Sequence, residues 1–139
     1  MKDCVHIAAA AVESKPGEIA ANLEKMDALC ATASQGADLI LFPELSLSGF
    51  VPNHPNGNHE AWLRSALHGA RSMAQPLDGP GVRGLIAIAQ KHNLLISAGL
   101  LEDAGNLMFN THVLAGPGGL LGFWRKMHIP MFEMPFYVG

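Results

Sequence analysis

Cysteine is scarce in this chain of 139 residues: there are two, alongside a single tyrosine and only 15% charged side chains. Two cysteines are too few for a disulfide scaffold. Cys4 and Cys30 both sit in apolar segments, where a thiol behaves as a small hydrophobe, and a reducing cytoplasm is the default setting. Basic residues are scarce as well. Nine Lys plus Arg face 12 Asp plus Glu, for a formal net charge of -3, so there is no cationic footprint for nucleic acid or anionic lipid. A membrane span is also missing. The charge-free stretch 104–124 is long enough to cross a bilayer, but it contains Asn106, Asn110, His112, Pro117 and five glycines and reads as two strands and a turn. The apolar start, Cys4 to Val12, imitates a secretory signal but is flanked by Asp3 and broken by His6, and it reads better as a strand.

What is present is apolar material, 49% of the chain, which excludes disorder and predicts one compact soluble domain. Apart from His6, Cys4–Val12 is a run of small and branched apolar residues, the pattern of a strand covered on both faces. Pro16 and Glu18 then open a helix whose Ile19, Leu23, Met26, Cys30 and Ala33 fall on one stripe, with Gly36 ending it. Asp38–Phe42 is a second buried strand, halted by Pro43. Leu45–Asn58, rich in Ser, Gly, Pro and Asn, is long enough to form a rim or lid. Helices follow over His59–Gln75 and Pro80–His92, the second with Asp78 or Gly79 as cap and a destabilising Gly84 in its middle. Three strands close the chain: Leu94–Leu101, Leu107–Ala115 and Leu120–Lys126, the last two joined by the tight turn Gly116–Gly119. The predicted class is α/β with a mixed sheet flanked by helices.

Several chemistries fail on spelling. The 116–122 segment lacks the last glycine of a dinucleotide fingerprint, and no phosphate-binding loop occurs. Leu45-Ser46-Leu47-Ser48-Gly49 lacks the first glycine of a nucleophile elbow. His54 and His59 share a loop region and are the residues a metal-binding protein would use, yet they show neither HExxH spacing nor cysteine partners. No cofactor and no metal is expected. Two charged residues stand apart because each ends a strongly apolar strand. Glu44 follows Phe42-Pro43 at the carboxyl edge of a central strand, where open α/β sheets place ligands. Lys126 follows Phe123-Trp124-Arg125. From position alone, both equally well mark where the sheet meets water.

Phe42-Pro43-Glu44 and Arg125-Lys126-Met127-His128-Ile129-Pro130 resemble the nitrilase superfamily, the carbon–nitrogen hydrolases. The likeness runs through most of the chain in order: apolar strand, long helix, the Phe-Pro-Glu turn with Ser48-Gly49-Phe50 after it, Leu77-Asp78-Gly79-Pro80 before a helix, Asn110 in a strand, and the Arg-Lys strand end. The resemblance implies the N-terminal part of a four-layer α-β-β-α sandwich and a Glu-Lys-Cys catalytic triad with an assisting glutamate. Glu44 matches the general base and Lys126 the lysine. Glu133 matches the assisting glutamate, the plain alternative being an exposed loop carboxylate. A thiolate would attack the carbon, the carboxylate would move the proton, and the ammonium would steady the anion.

No cysteine follows Lys126, and neither Cys4 nor Cys30 matches the family position. The expectation is an incomplete domain over 1–139, a fragment or shortened product whose exposed apolar sheet favours a homo-oligomer or association with a missing C-terminal half. The implied activity is hydrolysis of a small carboxamide or N-carbamoyl compound in the cytoplasm, with Ser46–His59 lining the entrance. A catalytically silent interaction module with the same fold is the alternative.

Overall fold

The structure is a computed structural model describing residues 4–51 and 58–139. Its strands are β1 (Ile7–Ala9), β2 (Leu39–Leu41), β3 (Leu95–Asp103), β4 (Met108–Gly116) and β5 (Gly119–Arg125); its helices are α1 (Ile19–Ala33), α2 (His59–Met73) and α3 (Pro80–His92). The strands form one sheet in the order β1-β2-β3-β4-β5. The pairs β1/β2 and β2/β3 are parallel, because helices carry the chain back between them. The pairs β3/β4 and β4/β5 are antiparallel, because the intervening turns are too short for a crossover. This is the mixed α/β sheet that the sequence predicts.

Pleat alternation divides the sheet into two unlike faces. Ile40, Ile96, Ala98, Leu100, Val113 and Ala115 join Met26, Cys30, Val82, Leu85 and Ile88 in the main core, so α1 and α3 cover one face. Gly84 permits their close contact: a Cβ there would strike the Leu23 side chain, which explains a glycine in the middle of a helix. Gly79 is the N-cap of α3, Pro80 opens it, and Asn93 closes it in the left-handed region at φ 48°. In α2, the Asn58 side chain caps by accepting from the Ala61 N–H at 3.0 Å. This helix packs with Leu45, Leu101, Met108, Phe136 and Tyr137 in a second cluster.

The opposite face of the sheet is partly bare. Ile7 is 61% exposed and Trp124 59%, and Leu41 and Leu121 are also open. The expectation that the first strand is covered on both faces is therefore wrong. The strand is also shorter than the apolar run suggests, pairing over three residues at the sheet edge. Cys4 is exposed, whereas Cys30 is fully buried. An apolar run reports what a strand can bury; whether a layer lies over it depends on the rest of the fold.

Candidate active site

Glu44 is held by a turn that lies on β3. Beyond Leu41 the chain leaves the sheet, and residues 44–48 form a turn in which Leu45 takes a left-handed conformation at φ 51°. This turn completes the hydrogen bonding of β3 where β2 has stopped. Phe42 N–H donates to Ser97 O at 2.8 Å and Leu47 N–H to Gly99 O at 2.8 Å. The hydroxyls of Ser46 and Ser48 accept from the N–H groups of Gly99 (3.3 Å) and Leu101 (2.9 Å). The two serines act as a surrogate strand for buried donors that would otherwise be unpaired. The buried Asn22 side chain braces the turn from α1 by donating to Leu47 O at 2.9 Å. The lack of a side chain at Gly99 is required, since a Cβ there would lie within 3.0 Å of backbone atoms of both Glu44 and Leu45.

Lys126 reaches the same place through strand alternation. Arg125, the last residue of β5, points to the helix-covered side. It donates to the buried Glu102 carboxylate from Nε at 2.9 Å and from Nη2 at 2.6 Å and stacks 3.8 Å from the Phe109 ring centroid. Thr111 Oγ1 donates to the same carboxylate at 2.6 Å. Burial works against charge on Glu102, but the Arg125 and Thr111 hydrogen bonds outweigh it, and the pKa falls below the ordinary value. One residue on, Lys126 faces the other way, its N–H donating to Asn110 O at 2.8 Å. Arg125 anchors the strand end, and Lys126 extends from it.

The three residues singled out from the sequence converge on one ammonium. Lys126 Nζ lies 2.7 Å from Glu44 Oε1 and 2.9 Å from Glu133 Oε2. Glu133 sits in a turn over residues 131–136, held by bonds to Pro130 O and from Phe136 N–H. Burial opposes the charge on Lys126, but the hydrogen bonds and negative charges of the two carboxylates prevail and raise its pKa above the ordinary lysine value. Two further residues complete the network. Asn110 Nδ2 donates to Glu44 Oε1 and contacts the Tyr137 hydroxyl at 3.3 Å. The Tyr137 pKa is raised, first by burial and then by its bond to Glu133. In the sequence Asn110 is part of the family likeness without a chemical role of its own, and Tyr137 has neither. A polar residue inside an apolar strand was the available signal for Asn110; nothing local marked Tyr137.

An open groove runs beside this cluster, lined by Glu44, Asn110, His112, Trp124, Arg125 and Lys126. The Nε2 of His112 is buried and has no hydrogen-bond partner among the described residues. Burial lowers its pKa below the ordinary histidine value, although the Glu44 charge pulls the other way.

Elsewhere, burial pushes the Cys30 thiol up to about 12, aided by the Asp27 charge, which makes it a poor nucleophile at neutral pH. His54 lies outside the described residues. His59 opens α2 and stacks at 5.3 Å on the Trp62 ring, and among the described residues no group of three His, Cys, Asp or Glu side chains could hold a metal ion. No helix among them is long and apolar enough to cross a membrane.

Comparison with known proteins identifies the family. Residues 6–137 match the family model for carbon–nitrogen hydrolases. A bromoxynil-specific nitrilase of Klebsiella pneumoniae subsp. ozaenae is 31% identical over 121 residues, covering 85% of this chain and 34% of that protein. An (R)-stereoselective amidase of a Pseudomonas species is 29% identical, covering 83% and 37%. Among solved structures, an amidase of Nesterenkonia sp. AN1 with acrylamide added to its active-site cysteine superposes with a TM-score of 0.73 and 24% identity. That match covers 97% of this chain and 49% of that one. The chain thus spans about a third of the length of these curated relatives. With the family model matching nearly end to end and the fold shared, the chain belongs to the carbon–nitrogen hydrolase family, the nitrilase superfamily.

Proposed function

We propose that the chain carries the acid–base and electrostatic part of a hydrolase acting on a non-peptide carbon–nitrogen bond of the carboxamide or N-carbamoyl type. The observation that carries this reading is Lys126 Nζ within 2.9 Å of both Glu44 and Glu133 at the end of an apolar sheet. A cysteine supplied from outside these residues, in a continuation of the chain or a partner, attacks the carbonyl carbon. Glu44 takes the thiol proton and passes it to the departing nitrogen as the C–N bond breaks. It then removes a proton from the water that cleaves the thioester and frees the thiol. The Lys126 ammonium faces the developing oxyanion, and Glu133 holds that ammonium in place. The Nesterenkonia amidase, with its active-site cysteine, supports a thiol mechanism. Such a thiol suits a reducing cytoplasm.

Ammonia release from a panel of carboxamides and N-carbamoyl amino acids tests this, using the protein in the form in which its source cell makes it. Glu44→Gln and Lys126→Ala are each expected to lower turnover by about 10² to 10⁴-fold. Turnover that survives both changes overturns the assignment. No turnover with any substrate in the unaltered protein favours a silent interaction module.

A further inference from the structure

Packing does not explain the histidine at position 112. The half-buried His112 lies in β4 between Gly99 of β3 and Trp124 of β5, and Gly99 is the residue against which the backbone of Glu44 and Leu45 rests. The imidazole is thereby set beside Glu44, on the sheet face it shares with Asn110, two residues earlier. Its Nε2 is buried without a hydrogen-bond partner among the described residues, a cost that an apolar side chain in its place would avoid. Glu44 is engaged through one oxygen. Lys126 Nζ, at 2.7 Å, and Asn110 Nδ2 both bond to Oε1, and Oε2 takes no bond among the described residues.

From this geometry we infer that His112 is a positioning residue for Glu44: as neutral imidazole it leaves Oε2 free to take a proton, and as imidazolium it draws Oε2 away from the reacting atoms. The inference rests on the hydrolase reading for the task of Glu44 and adds a control on it. Few charged groups surround the imidazole. Glu44 comes from the 44–48 turn and Lys126 and Arg125 from the end of β5, while β3 places only Gly99 opposite. Arg125 is bound to Glu102, and Lys126 to Glu44 and Glu133, which leaves Glu44 as the group that a charge on His112 addresses. The influence is mutual. The Glu44 carboxylate favours the imidazolium, so the imidazolium opposes proton uptake by Glu44 to the same extent. It would also repel Lys126, so that two cations compete for one carboxylate. Burial holds the His112 pKa below the ordinary histidine value, so the base is released near neutrality and withheld in acid.

An NMR pH titration of the 139-residue chain, labelled at histidine and glutamate, tests the coupling without turnover. His112 should titrate below pH 6.5, with the Glu44 carboxyl carbon shifting through the same midpoint, and in Glu44→Gln the His112 midpoint should fall further. A His112 midpoint unmoved by Glu44→Gln, or a Glu44 carbon that ignores the imidazole, overturns the inference. Ammonia release by the protein as its source cell makes it is the second arm. His112→Gln keeps a polar side chain without a titrating charge. Its kcat at about pH 5.5, taken as a fraction of kcat at about pH 8, should be about threefold higher than in the unaltered protein, with KM little moved. Turnover with an unchanged fraction overturns this inference and leaves the hydrolase reading standing. Coupled titration with no ammonia from any substrate strikes the hydrolase reading alone.

Discussion

His112 is a half-buried base set beside a carboxylate, and that combination has a pH signature. Its Nε2 has no hydrogen-bond partner among the described residues, and its neighbours in the groove are Glu44, Asn110, Trp124, Arg125 and Lys126. Burial disfavours the imidazolium and Glu44 only partly compensates, so the folded pKa lies below 6.5. Below pH 6.5 the unfolded chain binds a proton that the folded chain resists, and stability falls as pH drops from 6.5 toward the folded value. The carboxylates of Asp27 and Glu102, whose pKa values are lowered from 3.8 and 4.5, add their own losses only at lower pH. The urea midpoint of the chain should therefore decline between pH 7 and 5, and His112→Leu should flatten that decline. Parallel curves for the two proteins would show that the imidazole is not its source.

The same residue shows where sequence reading stops. Glu44 and Lys126 are conspicuous because each ends an apolar strand, but position alone equally marks where a sheet meets water, and only the likeness of Phe42-Pro43-Glu44 and Arg125-Lys126 to the nitrilase superfamily singles them out as candidates. His112 was one of seven histidines, and what distinguishes it is a missing partner, which only packing reveals.

At the scale of elements, α1 and α3 were legible almost to their ends. Their apolar stripes, Pro80 and the closing turns are local signals. The 44–48 turn was not, because its logic lies across the sheet. Ser46 and Ser48 read as loop residues, yet their hydroxyls replace strand partners for Gly99 and Leu101. Gly99 reads as a weak point in a strand, yet the backbone of Glu44 and Leu45 fills the space its side chain would need. Gly99→Ala should push the turn off β3, lower the unfolding free energy by about 1 to 3 kcal/mol and displace Glu44 from Lys126. Gly122→Ala is the control. Its added Cβ would meet nothing nearer than 3.4 Å, so its midpoint should stay within about 0.5 kcal/mol of the unaltered chain. Equal effects from the two substitutions, measured by urea denaturation, would remove the turn-on-strand contact as the cause.

At the scale of the molecule, the two sheet faces pose unequal solvation problems. One is largely covered by α1 and α3; the other presents Ile7, Leu41, Leu121 and Trp124 to water. Large apolar side chains left open at both edges of one sheet face are uncommon on a monomer left to itself, and the Glu44–Lys126–Glu133 cluster lies beside this face, since Trp124 belongs both to it and to the groove. A layer placed over the face would also wall the groove, so covering the sheet and excluding water from Glu44 and Lys126 become one event. The 139-residue chain in dilute solution should accordingly bind an apolar dye or self-associate. Ile7→Lys with Leu121→Lys, both on exposed positions, should reduce either signal several-fold without changing helix content by circular dichroism. A dye-silent monomer would mean that the face is tolerated in water as it stands, and the link between sheet covering and site closure would then be lost.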